Sequence, residues 1–208
     1  MRLLAPKPPA CPAAACAAFS LIEALISLTL VFAIATIYFG FSAPDRRRNS
    51  QKVCQANLQK IFLALEIYAQ DHTGKFPVTT GAKTSEEPLD LLIPRYSADT
   101  TIFHCPAAKG SPPPAGEALR SSKISYAYFM GRHSGGETNV LMSDAQVSTQ
   151  AKSAGAEIFS TTGRAPGNNH AKAGGNLLFS DGHVEWSLPQ LSFSLPLPPD
   201  VVLLNPKP

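Results

Sequence analysis

Charged side chains are scarce in this chain of 208 residues. Asp, Glu, Lys and Arg make up only 16% of it, where about 25% is usual for a soluble protein, and the formal net charge is +3. The basic residues are scattered apart from one arginine triplet, so there is no broad basic face and no nucleic-acid partner is expected. The composition also excludes a collagen, a disulfide-dense scaffold and a polytopic membrane protein.

Catalytic motifs are missing as well. The sequence has no nucleophile elbow, no phosphate-binding loop and no pair of histidines at metal-ligand spacing on a predicted helix. His133, His170 and His183 could be arranged with Asp144 and Asp181 as a hydrolytic zinc site, but nothing in their spacing demands it. We therefore expect a protein that is not an enzyme.

One long apolar run lies near the N-terminus. Residues 24–43 contain no charged side chain, and as a helix they would span roughly 30 Å, the thickness of the hydrocarbon core of a bilayer. The run is apolar all round, which excludes an amphipathic surface helix. The alternative is a long secretory signal that is removed after export, since Gly40, Ser42 and Ala43 imitate a cleavage site.

The residues before this run form a short leader. Residues 1–18 carry Arg2 and Lys7 but no acid, and Ala18-Phe19-Ser20-Leu21-Ile22-Glu23 then opens the apolar run. This arrangement resembles the signal of type IV pilins and type II secretion pseudopilins, with alanine where the family normally has glycine. The resemblance implies cleavage between Ala18 and Phe19, N-methylation of Phe19, and a role for Glu23 in assembly.

The same resemblance implies the partners and the location. These would be a prepilin peptidase and methyltransferase, an inner-membrane assembly platform, and other pseudopilins or copies of this chain in a filament. A carboxylate in an apolar helix costs about 2.5–3.5 kcal/mol at full depth, so Glu23 needs a partner, and the amino group of a neighbouring Phe19 would supply it. The alternative is that Glu23 reaches the membrane surface by itself.

The distribution of basic residues favours a different topology. Arg46, Arg47, Arg48 and Lys52 follow the apolar run, and by the positive-inside rule they would place the following domain in the cytoplasm. The resemblance implies the opposite, a single-pass protein of the bacterial inner membrane with its C-terminal domain in the periplasm or extracytoplasmic space. We adopt the topology implied by the resemblance.

A second helical segment follows Pro44, where the sequence predicts a kink or a short break. Apolar residues recur at helical spacing on one face, and Gly74 and Pro77 then stop the helix. The apolar positions are Cys54, Leu58, Ile61, Phe62, Leu65 and Tyr68. The stretch VCQANLQKIFLALEIYAQDHTGKFP resembles the segment that follows the membrane span in bacterial pseudopilins.

Two of the four cysteines, Cys11 and Cys16, lie in the leader. The other two, Cys54 and Cys105, either form a disulfide that closes a loop of about 50 residues or remain as buried thiols. Neither has a second cysteine at ligand spacing, which makes a cysteine metal site improbable on sequence grounds.

The C-terminal half predicts short strands and hairpins. Asp181-Gly182 between NLLFS and HVEWS is a strong cue for a two-residue type I′ turn. Such a turn would pair Phe179 with Val184 and Leu177 with Trp186, with these four side chains facing the core. His183 would then be a surface residue.

Two segments of this half are similar to each other at an offset of 37 residues, HSGGETNVLMSDAQV from His133 and HAKAGGNLLFSDGHV from His170. The second also resembles a prepilin-associated motif in which a histidine precedes Asp-Gly. Here ten residues separate His170 from Asp181, where the family has nine. The similarity reflects either two related glycine-rich loops or a chance match.

His170, Asp181 and Asp144 are also weak candidates for a metal site, with calcium as the ion considered, although calcium needs six to eight oxygen ligands. The alternative is a His–Asp hydrogen bond that fixes the glycine-rich loop. We commit to no metal and no cofactor.

Together these features predict an α+β fold in which a long N-terminal helix packs on a small antiparallel sheet, as in pilins. The expected parts are a leader (1–18), a transmembrane and assembly helix (19–43), a periplasmic domain (44–186) and an extended proline-rich tail (187–208). The expected function is a pseudopilin subunit of a type II secretion-like system that supports protein export. The alternatives are a type IV pilus or DNA-uptake minor pilin, and a membrane-anchored binding or metal-site domain that does not polymerise.

Overall fold

The computed structural model describes the backbone of residues 20–208 and the side chains of residues 20–38 and 46–208. The chain divides into two compact units, residues 1–43 and 44–208. The expected leader, with Ala18 and Phe19, lies outside the described residues.

The longest element is helix α1, Leu21–Asp71, which has 51 residues. It continues through Pro44, so of the two expected outcomes the short break is wrong, while the kink stays a prediction. A proline removes one backbone hydrogen bond, and the turns on both sides of it remain helical. The helix ends where sequence predicts, because Gly74 takes a positive φ of 81° and donates its N–H to the carbonyl of Ala69 at 2.8 Å.

The first unit contains the one stretch among the described residues that is long and apolar enough to cross a membrane, Leu21–Tyr38. None of this 18-residue window is buried, although its mean hydropathy is 2.1. A surface so apolar is unfavourable in water, so this part of α1 is compatible with a single-pass membrane anchor.

The second unit combines the C-terminal half of α1 with a five-stranded antiparallel sheet, an α+β arrangement. The strands occur in the spatial order β4-β3-β2-β1-β5. Their bounds are β1 Tyr126–Met130, β2 Val140–Asp144, β3 Gly175–Phe179, β4 Val184–Ser187 and β5 Val202–Leu204. Short helical segments lie between α1 and the sheet: α2 Glu86–Leu89 and 3₁₀ turns at Asp90–Leu92, Thr100–Phe103 and Leu119–Ser121.

Both faces of the sheet are covered. On one face lies the predicted stripe of α1, where Leu58, Ile61 and Leu65 are completely buried against strand residues such as Tyr128 and Leu178. On the other face, loop and C-terminal side chains form a second apolar cluster. This burial explains why β1 is apolar at every position instead of alternating with polar residues.

The C-terminal segment differs from the expected separate tail. It contains β5, which pairs with β1, and its Leu191, Leu195 and Val201 are buried in the second cluster. The expected domain boundary at residue 186 is therefore replaced by a unit that extends through residue 208. The segment is rich in proline, and Leu191, Leu195, Val201 and Leu203 between the prolines are buried in the second cluster.

The turn between β3 and β4 has three residues, Ser180–Gly182, instead of two. Gly182 takes a φ of 88° and donates its N–H to the carbonyl of Phe179, while Phe179 donates to the carbonyl of His183. A type I turn followed by a glycine in the left-handed region is the usual three-residue hairpin. The predicted type I′ turn is therefore wrong.

The extra turn residue shifts the whole register by one. Val184 lies opposite Leu178 and Trp186 lies opposite Asn176, so neither pairs with Phe179 or Leu177. The predicted common core face is consequently wrong as well. Leu178 and Val184 pack on the α1 side of the sheet, whereas Leu177 and Phe179 belong to the opposite cluster.

Candidate functional site

A buried polar cluster is centred on Asp144, the last residue of β2. Its carboxylate accepts three hydrogen bonds: Asn169 Nδ2 donates to Oδ1 at 2.8 Å, and Asn176 donates to Oδ2 from its backbone N–H at 2.6 Å and from Nδ2 at 3.0 Å. Asn169 also donates to the carbonyl of Ser125 at 2.6 Å. Asp144 thereby ties the end of β2 to the start of β3 and to the loop before it.

His170 lies in that loop and completes the cluster. Its Nε2 is 3.5 Å from Asp144 Oδ2 and 3.5 Å from Cys105 Sγ, and its ring packs edge-on against Trp186. The side chains of His170 and Asp144 are only 5% and 1% exposed. The contact between them corresponds to the alternative in which a histidine and an aspartate hold the glycine-rich loop, and the aspartate is Asp144.

Two glycines allow the loop to reach this position. A Cβ on Gly174 would lie 2.1 Å from the carbonyl oxygen of Ser187, and one on Gly175 would lie 2.7 Å from the ring of Phe159. Both residues therefore have to be glycine for the loop to pass so closely to β4 and to the second apolar cluster.

Cys54 and Cys105 form a disulfide with a Cα–Cα distance of 5.2 Å. It links α1 to the loop that follows the second 3₁₀ turn, and both residues are completely buried. Of the two alternatives that the sequence leaves open for this pair, the structure contains the disulfide.

The disulfide also limits the metal chemistry of the cluster. One potential ligand atom each from Cys54, Cys105, Asp144 and His170 lies within 4.8 Å of the others. The two sulfur atoms are bonded to each other, however, so in this state only a carboxylate and an imidazole remain. That set is far too small for calcium, which takes six to eight oxygen ligands.

Asp181, the other candidate ligand, is not part of this group. It lies in the exposed hairpin turn and contacts His183, with 2.6 Å between Oδ1 and Nδ1. The backbone N–H of His183 also donates to this carboxylate, and this bond, followed by the imidazole, lowers the pKa of Asp181. His183 is half exposed, as expected for a surface residue.

The cluster does not have the geometry of a catalytic triad. A triad uses one ring nitrogen of the histidine for the nucleophile and the other for the aspartate. Here the same nitrogen of His170 faces both the Cys105 sulfur and the Asp144 carboxylate. Proton transfer between the two partners through the ring therefore has no route.

Burial shifts two titratable neighbours of the cluster. Burial raises the pKa of Tyr126 well above its usual value, and the charge of Asp144 raises it further. Burial lowers the pKa of His104, the residue before Cys105. Both shifts favour the neutral form of the side chain, because burial away from water disfavours the charged form.

Two cavities adjoin the cluster. The smaller, of about 330 Å³, is lined by His170 and Trp186 and by the arginine triplet Arg46–Arg48. The larger, of about 680 Å³, lies on the side of Asn169 and is lined by Lys109, Lys123 and Arg164 among other residues.

The remaining assignments concern assembly. Glu23 lies in the first turn of α1 and is exposed, and its carboxylate has no partner among the side chains that the structure describes. Ala18 and Phe19, the expected cleavage and methylation residues, lie outside that part of the chain. Their processing therefore stays a prediction.

Sequence reasoning missed Asn169 and the role of Trp186. Asn176 carries a signal, since it is one of the positions shared by the two similar segments, at Asn139 and Asn176. Asn169 carries none, because an asparagine beside another asparagine in a loop is ordinary turn chemistry.

Comparison with known proteins gives no match: no family model fits the chain, and neither a curated protein nor a solved structure is significantly similar to it. The fold class, an α+β domain preceded by a candidate membrane helix, therefore stands on the structure alone.

Proposed function

We propose that the chain is a structural subunit of a membrane-anchored filament, a pseudopilin of a type II secretion-like system. In this proposal a peptidase cleaves between Ala18 and Phe19, and the apolar part of α1 anchors the subunit in the inner membrane. Subunits then associate through that part of α1, and residues 44–208 form the outer layer of the filament on the extracytoplasmic side.

The position of Glu23 carries the proposal. It is the one Asp, Glu, Lys or Arg of the window Leu21–Tyr38, and the structure shows no partner for it among the described side chains. An unpaired carboxylate in an apolar helix is unfavourable, and a simple anchor has no need for it. A neighbouring subunit that begins at Phe19 would supply an amino group, which pairs with the carboxylate and sets the stagger between adjacent helices.

The division of α1 supports the same function. Its first 18 residues are apolar and exposed on all sides, whereas the second part carries a buried stripe on one face only. None of these 18 residues is buried. In a filament, the same residues of neighbouring subunits would cover them.

The first test is the mass of the N-terminus of protein recovered from membranes of its host. The expected species begins at N-methyl-Phe19. A chain that begins at Met1, or one cut near Ala43, would refute the pilin pathway.

The second test separates assembly from anchoring. Glu23→Gln should abolish cross-linking between cysteines introduced into residues 24–38 of neighbouring subunits, while leaving the protein in the membrane. The matched control is Glu117→Gln, which removes an exposed charge from the domain and should leave the cross-links unchanged. Equal cross-linking in both variants would contradict a filament held by this carboxylate.

The cavity of about 680 Å³ favours a second candidate, a membrane-anchored binding domain that does not polymerise. Under that function Glu23→Gln would have no effect. Removal of Lys109, Lys123 and Arg164 would then abolish function. Surface fibres, in contrast to short periplasmic ones, would indicate a type IV or DNA-uptake pilin.

A further inference from the structure

The smaller cavity of the domain is lined by three positively charged side chains and by several apolar ones. Arg46, Arg47 and Arg48 line it together with His170 and Trp186, and no Asp or Glu is among the lining residues. The three arginines are exposed, and no ion pair joins them to an acidic side chain in the described part of the chain.

His170 fixes one wall of this cavity. Its Nε2 faces Asp144 and Cys105, and its ring packs edge-on against Trp186, with 5.2 Å between the ring centroids. Arginines that line a cavity with a fixed wall are a favourable arrangement for an anion with several oxygen atoms.

Phosphate is the anion that best matches these donors, because guanidinium groups bind its oxygens in pairs. The cavity has in addition an apolar side made of Trp186 and three alanines, Ala107, Ala171 and Ala173. A free phosphate ion would leave that side without a partner. A phosphate attached to glycerol and acyl chains would cover it.

The sequence places the arginines next to the bilayer. Two residues separate Ala43, where the apolar run of the sequence ends, from Arg46. At about 1.5 Å per helical residue this step covers about 5 Å, and the headgroup layer extends about 5–8 Å beyond the hydrocarbon core, so the first arginine falls at the level of the headgroups. Tryptophan is likewise common at this level of a membrane.

We propose that this cavity binds the phosphate of a phospholipid headgroup, held by Arg46–Arg48. The bound lipid fastens the domain to the bilayer that contains its own anchor. This inference needs the membrane span of α1 but not filament assembly, and it assigns a function to the arginine triplet and to the buried cluster behind it.

Trp186 is the one tryptophan of the chain, so its fluorescence reports on this cavity without interference. The full chain, in micelles of an uncharged detergent, is titrated with dihexanoyl phosphatidic acid, with dihexanoyl glycerol, which lacks the phosphate, and with inorganic phosphate. We expect a saturable change with the phospholipid, no change with the diacylglycerol, and binding of inorganic phosphate that is weaker by about tenfold or more, since it forgoes the apolar contacts. Native mass spectrometry of the same samples counts the bound lipid directly.

The variant R46Q/R47Q/R48Q should bind the phospholipid about tenfold more weakly or worse, because each charge-assisted contact contributes that much. The matched control, K109Q/K123Q/R164Q, removes the same charge from the larger cavity and should stay within about twofold of the parent. Circular dichroism verifies that both variants are folded. If the arginine variant misfolds, the three titrations of the parent chain decide the question alone.

Three results would overturn the proposal. They are the absence of saturable binding by both methods, unchanged affinity in the arginine variant, and equal affinity for inorganic phosphate and phospholipid. The last would assign the cavity to a soluble anion. Because the protein is tested in micelles and without assembly, none of these results bears on the filament proposal.

Discussion

The domain contains two histidine–aspartate pairs that differ in every respect except composition. His183 and Asp181 are in close contact at 2.6 Å, but their side chains are 50% and 47% exposed. His170 and Asp144 are farther apart, at 3.5 Å, but they are 5% and 1% exposed, and the carboxylate accepts three further hydrogen bonds. The close pair, His183 and Asp181, is surrounded by solvent. The more distant pair, His170 and Asp144, belongs to a buried hydrogen-bond network.

The difference shows that distance is a poor guide to the importance of a polar contact. Water competes with the exposed pair and screens it, so its contribution to stability is small. The groups around Asp144 cannot turn to water, so the loss of one partner leaves the others unsatisfied.

The two pairs come from the two similar segments of the sequence, which interlock in the structure. Asn176 of the second segment donates its backbone N–H to Asp144 of the first, and Asn139 of the first donates its own to Ser180 of the second at 3.1 Å. Because β2 and β3 are antiparallel, the start of each strand lies beside the end of the other. The same sequence pattern therefore produces related backbone contacts but unequal burial.

The largest expected effect follows from Asp144→Ala, which removes the acceptor for three buried donors. We expect a loss of about 3–5 kcal/mol in the free energy of unfolding, because each unsatisfied buried donor is costly. Urea unfolding followed by Trp186 fluorescence measures it. Asp181→Ala is the matched control and should leave the unfolding midpoint unchanged. Equal shifts in the two variants would contradict the comparison.

Removing the disulfide should have the next largest effect. The two cysteines are 51 residues apart. The loop-closure relation for such a separation predicts that Cys54→Ser/Cys105→Ser lowers stability by about 4 kcal/mol or somewhat less. His170 should also lose its contact with sulfur, visible as a shift of its ring resonances in NMR, while those of His183 stay in place. An unchanged unfolding midpoint would show that the disulfide does not stabilise the region around His170 and Asp144.

The turn that carries the exposed pair depends on its glycine. Gly182→Ala should lower stability by about 1–3 kcal/mol, because an alanine is strained at this positive φ. Its Cβ would also lie 2.5 Å from the ring of Phe62 on α1. Gly135→Ala is the control, since Gly135 has a similar φ of 74° and no atom within 4 Å of the added Cβ. A larger loss in the control would show that the contact with Phe62 is unimportant.

The smallest expected effect is a change of stability with pH, and it should differ between a partly buried histidine and an exposed one. Burial lowers the folded-state pKa of His104 below its usual value of 6.5. As the pH falls through 6.5 the unfolded chain therefore takes up a proton first, and stability decreases by less than about 1 kcal/mol until the folded-state pKa is reached. His104→Gln should reduce this decrease, measured as the unfolding midpoint between pH 7 and pH 5. His133→Gln, at an exposed position, should not; if it does, burial is not the cause.

The exposed acid has the opposite pH window. Asp181 has a lowered pKa in the folded chain, so its contribution is present above the usual value of 3.8 and is lost as the pH falls through the folded-state value. Because solvent screens this half-exposed carboxylate, its contribution is too small to compete with the decrease expected from His104.

Periodicity was sufficient to predict α1 and its buried stripe, because the spacing of Leu58, Ile61 and Leu65 depends only on the helical repeat. It was not sufficient for the register of the β3–β4 hairpin. Asp-Gly is compatible with a two-residue and with a three-residue turn, and the turn that forms places Gly182 against Phe62, a residue more than a hundred positions away that no local pattern takes into account. An error of one turn residue moved every side chain of β4 to the other face of the sheet.

The sequence was sufficient to predict which residue types form the candidate site. It was not sufficient to predict which of these residues contact each other. His170, Asp144 and Asp181 were all candidates, and the sequence left open which aspartate lies beside His170. The antiparallel pairing of β2 with β3 brings Asp144 there. The position of the disulfide beside these groups depends on the packing of α1 on the sheet, which no local pattern encodes.

The C-terminal segment has a consequence for the biogenesis of the domain. Residues 191–204 close one edge of β1 and cover the second apolar cluster, but they leave the ribosome after every other part of the sheet. Until then β1 has an unpaired edge, and Phe129 and Phe159 face water. The nascent domain therefore passes through an interval in which it is open to aggregation and to chaperone binding. Synthesis of residues 191–204, and not formation of α1, ends that interval.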